Sequence, residues 1–264
     1  MTDTEHGTQT GGTVKCADAY EYTRCLASES IDLILIDPPY MTTNEIWDQT
    51  EVFSDALCIE LLRVLKSTGS LYVWCGIGEK SQSLIRWFPI IARHFTFKDL
   101  VTWKKSRGMG MRKGWLYTRE EIVWAVKDNK QFKWNKAHQY GTDRRERDGG
   151  SDTIKPSQNG YLAKSLFKRL TNVWTDIEEE SFNVTTKEFH FTPKPIAALE
   201  RIILAHTEPG DVVYDCFMGS GSVAVAAIGL GRRYICVDHS DTFCRLAGER
   251  IDAFLTAQSG REED

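Results

Sequence analysis

The sequence has no run of about 18 apolar residues, the length a membrane-crossing helix needs. Its first residues are polar and contain no apolar stretch of the kind that begins a secretory signal, so none is expected. The seven cysteines are odd in number and include no C-x-x-C pair, which argues against a disulfide framework and a zinc ribbon and fits a reducing cytosol. Internal repeats and low-complexity tracts are missing too. Net charge is only −4, which by itself points to no anionic partner. The charges are segregated, however. From Trp103 to Gln139 there are ten basic residues against three acidic ones, a local basic surface of the kind phosphate contact requires.

With 264 residues there is room for one α/β domain and a modest insertion. Ile31 to Ile36 is a near-continuous apolar run closed by Asp-Pro-Pro, the pattern of a buried parallel strand. Apolar spacing predicts helices over 51–65 and 79–92, with strands at 70–75, 97–103 and 121–126. Residues 128–185 carry no strong period, although a helix is expected at 161–170. Regularity returns with a helix at 195–206, a strand at 212–216, a helix at 221–229, a strand at 234–237 and a last helix over about 241–255. This alternation implies a doubly wound, mostly parallel sheet. The expected organisation is a catalytic half at 13–127, an inserted region at 128–185 and a cofactor-binding half at 186–256, with tails at 1–12 and 257–264.

Asp215-Cys216-Phe217-Met218-Gly219-Ser220-Gly221 leaves a strand and enters a helix. Glycines at 219 and 221 let backbone approach a ligand, and a helix N-terminus offers free N–H groups. Asp238 ends the next strand, where a carboxylate can accept hydrogen bonds from both ribose hydroxyls of a nucleoside cofactor. Read alone, the segment also satisfies G-x-G-x-x-A, which admits a nicotinamide-dependent oxidoreductase, and it equally fits a tight turn without a ligand.

Asp37-Pro38-Pro39-Tyr40 follows the first strand. The prolines stiffen the loop and remove two N–H donors, leaving carbonyls that accept. An exocyclic base amine is a weak nucleophile because its lone pair is delocalised into the ring. Asp37 and the Pro38 carbonyl can each accept one of its hydrogens, turning the lone pair toward a methyl sulfonium. Tyr40 can stack on a base taken out of the helix. By itself the string is equally a strand ending in a rigid turn.

Together these strings resemble the β-group of DNA amino-methyltransferases, the N6-adenine and N4-cytosine enzymes, in which Asp-Pro-Pro-Tyr precedes Phe-x-Gly-x-Gly in a permuted order. Ala17-Asp18-Ala19 is similar to the family's Gly-Asp-Cys segment. Leu61 to Leu71 is similar to the helix and strand after the catalytic loop. His190-Phe191-Thr192-Pro193-Lys194-Pro195 is similar to its His-x-Thr-x-Lys-Pro element. Cys216, Met218 and Ser222 depart from the common Asp-Pro-Phe-Ala-Gly-Ser-Gly-Thr.

The resemblance implies a Rossmann-like, seven-stranded sheet with one antiparallel strand and a small inserted target-recognition region. It implies S-adenosylmethionine as cofactor, held by Asp18, Ala19, Asp37, Thr192, Lys194, Asp215, Phe217, Gly219, Ser220, Gly221 and Asp238, with Asp37, Pro38, Pro39 and Tyr40 as catalytic residues. No metal is expected. Asp at the first motif position implies adenine N6, with cytosine N4 or a silent DNA-binding subunit as alternatives. Lys104, Lys105, Arg107, Arg112 and Lys113, with Trp103 and Trp115 among them, are candidate DNA contacts on a glycine-bearing lid. Trp47 and Asp48 can shape the base pocket or pack beneath the catalytic loop. The implied partners are double-stranded DNA, a homodimer mate and a cognate restriction endonuclease. The implied setting is the cytoplasm of a bacterial, archaeal or phage-infected cell.

Overall fold

A computed structural model of the chain describes residues 11–42, 51–109, 113–144, 167–179 and 193–262. Its first elements are β1 (Thr13–Cys16), α1 (Ala19–Cys25), β2 (Ile31–Ile36), α2 (Asp55–Val64), β3 (Leu65–Cys75), α3 (Ser83–His94), β4 (Thr96–Met109) and β5 (Tyr117–Val126). There follow β6 (Tyr140–Arg144), β7 (Phe167–Arg169), β8 (Val173–Trp174), α4 (Ile196–His206), β9 (Val212–Asp215), α5 (Ser222–Gly229), β10 (Arg233–Asp238) and α6 (Asp241–Glu262). The main sheet has the order β1-β10-β9-β2-β3-β5-β4-β8, and β6 and β7 pair separately. Among the described residues, only β5 runs antiparallel to its neighbours in the main sheet. Among the described residues the sheet therefore has eight strands rather than seven. The additional one is β8, two residues long, laid beside β4 at the edge.

Strand β2 lies at the centre with all six residues buried. Successive side chains leave opposite faces of a strand, and the core divides accordingly. Leu33 and Leu35 join Leu199, Ile202 and Ile203 of α4, Val223 of α5 and Ile251 of α6. Ile34 and Ile36 join Leu57 and Leu61 of α2 with Trp87 and Ile91 of α3. Each such side chain, fully removed from water, contributes roughly 1.5–3 kcal/mol. Asp32 interrupts the run. Its carboxylate is satisfied inside the protein, accepting from the Val212 amide at 2.9 Å and the Lys66 ammonium at 2.7 Å.

Several element bounds differ from those the sequence predicts, each for a local reason. Helix α2 starts at Asp55 because Ser54 caps it, its hydroxyl accepting from the Leu57 amide. Helix α3 starts at Ser83, after Gln82 turns the chain in a left-handed conformation (φ 46°). Strand β1 and helix α1 have no clear signal in sequence, and they form because Val14 is buried and Asp18 caps α1 through the Glu21 amide. The expected helix at 161–170 is not present over Phe167–Arg169. Those residues form β7 and pair with β6, so tertiary pairing overrides a weak period. Residues 133–135, in the inserted region, are strapped to the main fold. The Lys133 amide donates to the Thr68 carbonyl at 2.8 Å, and the Asn135 side chain donates to the Leu204 and Thr207 carbonyls, each at 2.9 Å.

From β9 the chain crosses through α5 toward β10 and the β1 edge. From β2 it crosses through α2 toward β3, in the opposite direction. The order reverses between β9 and β2, and crevices at such reversals, beyond the carboxyl ends of the strands, are where open α/β sheets hold ligands.

Candidate active site

Four consecutive strands, β1, β10, β9 and β2, deliver a row of acids to this edge. Asp18 lies two residues past β1, Asp238 ends β10, Asp215 ends β9 and Asp37 follows β2. At a strand spacing of ~4.8 Å the row spans about 14 Å. Asp238 carries the glycine turn, since its two oxygens accept from the Gly219 and Ser240 amides, both at 3.0 Å. One oxygen of Asp215 accepts from the Phe217 amide, also at 3.0 Å. Burial lifts the carboxyl groups of both residues above the ordinary range, and for Asp215 the charges of Asp37 and Asp238 add to it.

Gly221 requires the absence of a side chain. Its φ is +77°, and a Cβ would stand 3.0 Å from the Ala247 Cβ. Gly219 (φ +49°) faces open space, with no atom within 4 Å of where its Cβ would stand. Arg250 braces the turn, donating to the Ser220 and Ser222 hydroxyls at 3.0 and 2.8 Å.

At the far end of the row, Asp37 sits in a chain of alternating charge. Lys194, only 9 % exposed and placed just before α4, has its ammonium 2.9 Å from Asp37 Oδ2 and 2.9 Å from Glu120 Oε2. The other Glu120 oxygen pairs with Lys105. Burial pushes the Glu120 carboxyl up, but Lys194 and Lys105 outweigh it and hold the group at about 2. Burial favours a neutral Lys194, yet Asp37 and Glu120 reverse this and hold its ammonium above the usual range. Asp37 responds differently. Burial raises its carboxyl, Glu120 adds to the rise, and Lys194 opposes it without cancelling it. A third of the Asp37 side chain remains open to the crevice.

The loop around Asp37 is fixed from several sides. Pro38 is buried, and Pro39 and Tyr40 are half-buried. The Tyr40 hydroxyl donates to Asp37 Oδ1 at 2.7 Å, and its ring meets Trp87 edge-on at 5.9 Å. Arg86 donates to the Tyr40 carbonyl at 3.1 Å and pairs with Glu51 at 3.3 Å. A Cβ at Gly76 would stand 3.2 Å from the Tyr40 ring and 2.2 Å from the Ser81 hydroxyl, so only glycine lets the end of β3 lie this close.

The row also bears on the choice between cofactors. A row of acidic side chains beside the reversal suits a cationic sulfonium better than an anionic pyrophosphate. The sequence pattern of the N6/N4 DNA methylase family matches residues 31–249. The chain belongs to this family.

Relatives of this methylase cover most of its length. Type II methyltransferase M.HpaI of Haemophilus parainfluenzae is 30% identical over 250 residues, 90% of this chain and 73% of that one. DNA adenine methyltransferase YhdJ of Escherichia coli (strain K12) is 29% identical, covering 91% of this chain and 82% of that one. Type II methyltransferase M1.MboII of Moraxella bovis is 28% identical, covering 84% and 89%. Two solved structures share the fold. The M1.HpyAVI–SAM complex has a TM-score of 0.58 at 24% identity, over 90% of this chain and 98% of that one. The cytosine-N4-specific PvuII DNA methyltransferase has a TM-score of 0.67 at 15% identity, over 94% and 92%.

S-adenosylmethionine is the methyl donor of the family, and the edge of the sheet suits it. The open face of Gly219 admits backbone approach, the acidic row matches a cationic donor, and Asp37, the first residue of Asp-Pro-Pro-Tyr, stands at the end of that row. Asp18, Ala19, Asp215, Phe217, Gly219, Ser220, Gly221, Asp238 and Lys194 all lie on this edge, whereas Thr192 lies outside the described residues, as do His190, Trp47 and Asp48.

The candidate DNA contacts divide. Lys104 and Lys113 are exposed, Lys105 is tied to Glu120, Arg107 is a β4 residue described in its backbone only, and Arg112 lies outside the described residues. The segment read from sequence as a glycine-bearing lid continues β4 to Met109, and Met109 pairs with Tyr117. Trp103 is buried within it, its indole donating to the Ile177 carbonyl at 3.0 Å.

Sequence reading misses Glu120, Arg86 and Gly76. For Glu120 one signal was available. Glu120-Glu121 is an acidic pair inside a strongly basic stretch, and both residues turn inward, Glu121 being 2 % exposed. Among the described residues no helix is long and apolar enough to cross a membrane, and no cluster of metal-binding side chains occurs.

Proposed function

We propose that this methylase is a site-specific enzyme that methylates the N6 amine of an adenine flipped out of duplex DNA. The observation that carries the reading is the Asp37 carboxylate, anchored by Lys194 and Tyr40 at the end of the acidic row and still open to the crevice. Asp37 and the Pro38 carbonyl accept the two amine hydrogens, and Tyr40 supports the ring. When bound, S-adenosylmethionine supplies a methyl group on a positively charged sulfur. Asp37 holds the amine so that its lone pair faces that methyl group, and its raised carboxyl suits it to take the proton the nitrogen sheds. Asp18, Ala19, Thr192, Lys194, Asp215, Phe217, Gly219, Ser220, Gly221 and Asp238 hold the cofactor. Lys104, Lys105, Arg107, Arg112 and Lys113 face the DNA backbone, with Lys105 acting through Glu120. Residues 128–185 read the target sequence.

Adenine is supported by Asp at the head of the motif and by the relative named as an adenine methyltransferase. The Type II names of other relatives support a bacterial restriction–modification setting with a companion endonuclease in the cytoplasm. Incubation with labelled S-adenosylmethionine and unmethylated DNA, then digestion to nucleosides, tests the base: N6-methyladenine is expected, and N4-methylcytosine would overturn the assignment. Thermal stabilisation by NAD and not by S-adenosylhomocysteine would overturn the cofactor.

A further inference from the structure

The pairing register of β3, β4 and β5 places a hairpin above the active site. The last β3–β5 pair is Cys75 with Glu121, at the carboxyl end of β3. Beyond it β5 continues back to Tyr117, and β4 runs on past Lys104 to Met109. Residues 104–109 and 117–120 therefore overhang the same edge of the sheet that presents Asp37. The connection is direct, because Glu120 in this overhang holds Lys194, which holds Asp37.

The described part of the tip, on the β5 side, is apolar and unsheltered. Trp115 is 94% exposed, Leu116 64% and Tyr117 40%. An indole left almost wholly in water has no stabilising role in the isolated chain, and three consecutive large apolar residues at one tip mark a contact surface. Lys104, Lys113 and Arg119 flank the tip with their side chains exposed. Trp115 stands five positions before Glu120, so it lies at most about 17 Å from the charge chain, less than the width of a duplex.

We propose that Trp115, backed by Leu116, is a wedge that enters duplex DNA at the target base pair and occupies the stack the extruded base leaves. The basic flank favours DNA over a second copy of the chain. A twofold self-contact would bring Lys104, Lys113 and Arg119 against their own equivalents, whereas phosphates on both sides of the target attract them. The apolar tip then does what side chains do when they part base steps, replacing lost base–base stacking with an aromatic face. The proposal rests on the base-flipping methyltransferase reading and adds to it the residue that opens the duplex.

The test compares the wild type, Trp115→Ala and Trp115→Phe on two duplexes carrying one mapped target site. One duplex is fully paired and the other has an abasic nucleotide opposite the target base. Because the second needs no pair broken, a wedge is dispensable there. Trp115→Ala is expected to lose about 10-fold or more in kcat/KM on the paired duplex and to recover to within about 2-fold of wild type on the abasic one, given what base–aromatic stacking contributes. Trp115→Phe falls between. Equal loss on both duplexes, or no loss on either, would overturn the proposal, as would a shift from dimer to monomer in sedimentation with activity lost on both. If the wild type methylates neither duplex nor bulk DNA, it is the methyltransferase reading that fails.

Discussion

Lys194 and Glu120 act on Asp37 with opposite signs, and neutralising each should move the enzyme's pH dependence in opposite directions. The Lys194 ammonium, 2.9 Å from Asp37, lowers its carboxyl, whereas the Glu120 charge raises it. Lys194→Met keeps the length and most of the volume of the side chain while removing the charge. Asp37 is then left buried beside Glu120 with no cation between them, and its pKa must rise. A close opposite charge moves a carboxyl by about one to three units. Because a third of Asp37 is open to solvent, the rise is smaller than it would be for a fully enclosed pair.

Glu120→Gln removes the charge that pushes Asp37 up and leaves Lys194 with a single carboxylate partner, so the pKa must fall. If Asp37 acts as the ionised group, single-turnover methyl transfer declines as pH falls through its pKa. The acid limb of the profile should move up in Lys194→Met and down in Glu120→Gln. Lys194→Met should also lose about 3 kcal/mol of stability, since it breaks a buried ion pair. Measuring the profiles with DNA and cofactor saturating isolates the chemical step. Shifts in the same direction, or an acid limb unmoved in both variants, would refute the charge chain.

Other outcomes follow from the same structure. Gly221→Ala meets both an unfavourable φ and the Ala247 methyl group at 3.0 Å, and should cost about 1–3 kcal/mol in thermal unfolding together with weaker S-adenosylhomocysteine binding. Gly219→Ala places its Cβ in open space, so calorimetric affinity for S-adenosylhomocysteine should fall with a smaller loss of stability. His206 is buried between Ser70, Tyr72 and the Lys133 carbonyl, and burial lowers its pKa to about 4. A depressed histidine takes up its proton on unfolding, so stability present above pH 6.5 is lost as pH falls toward 4. The loss is roughly 2 kcal/mol at pH 5, readable as the urea-unfolding difference between pH 7.5 and 5 that His206→Gln should flatten.

Much of the fold is legible in the sequence where burial is complete. Five apolar residues broken only by Asp32 and closed by Asp-Pro-Pro mark the central strand, and Asp215 to Gly221 followed by Asp238 marks the strand–turn–helix beside it. These features depend on local pattern. The features that were not legible depend on partners distant in sequence. Strand β1 is four residues long and exists through its ladder with β10. The β4–β5 overhang carries glycine and basic residues that read as a lid, yet the Lys104–Arg119 and Met109–Tyr117 pairs extend it as a ladder. Glu120 reads as one charge among many, and its position between Lys105 and Lys194 follows only from bringing residue 194 to residue 120 across the fold. Asp37 was found from its motif, but the bond from the Tyr40 hydroxyl to its carboxylate is a feature of the folded loop.

The central claim is that the Asp37 carboxylate holds the reacting amine, and single-turnover methyl transfer by Asp37→Ala tests it most directly. With S-adenosylhomocysteine still stabilising the variant against heat, the account predicts a loss of about 100-fold or more in the rate of transfer to DNA, the scale of removing one preorganised polar contact to a reacting group. A variant that binds the cofactor product and methylates DNA at the wild-type rate would contradict it.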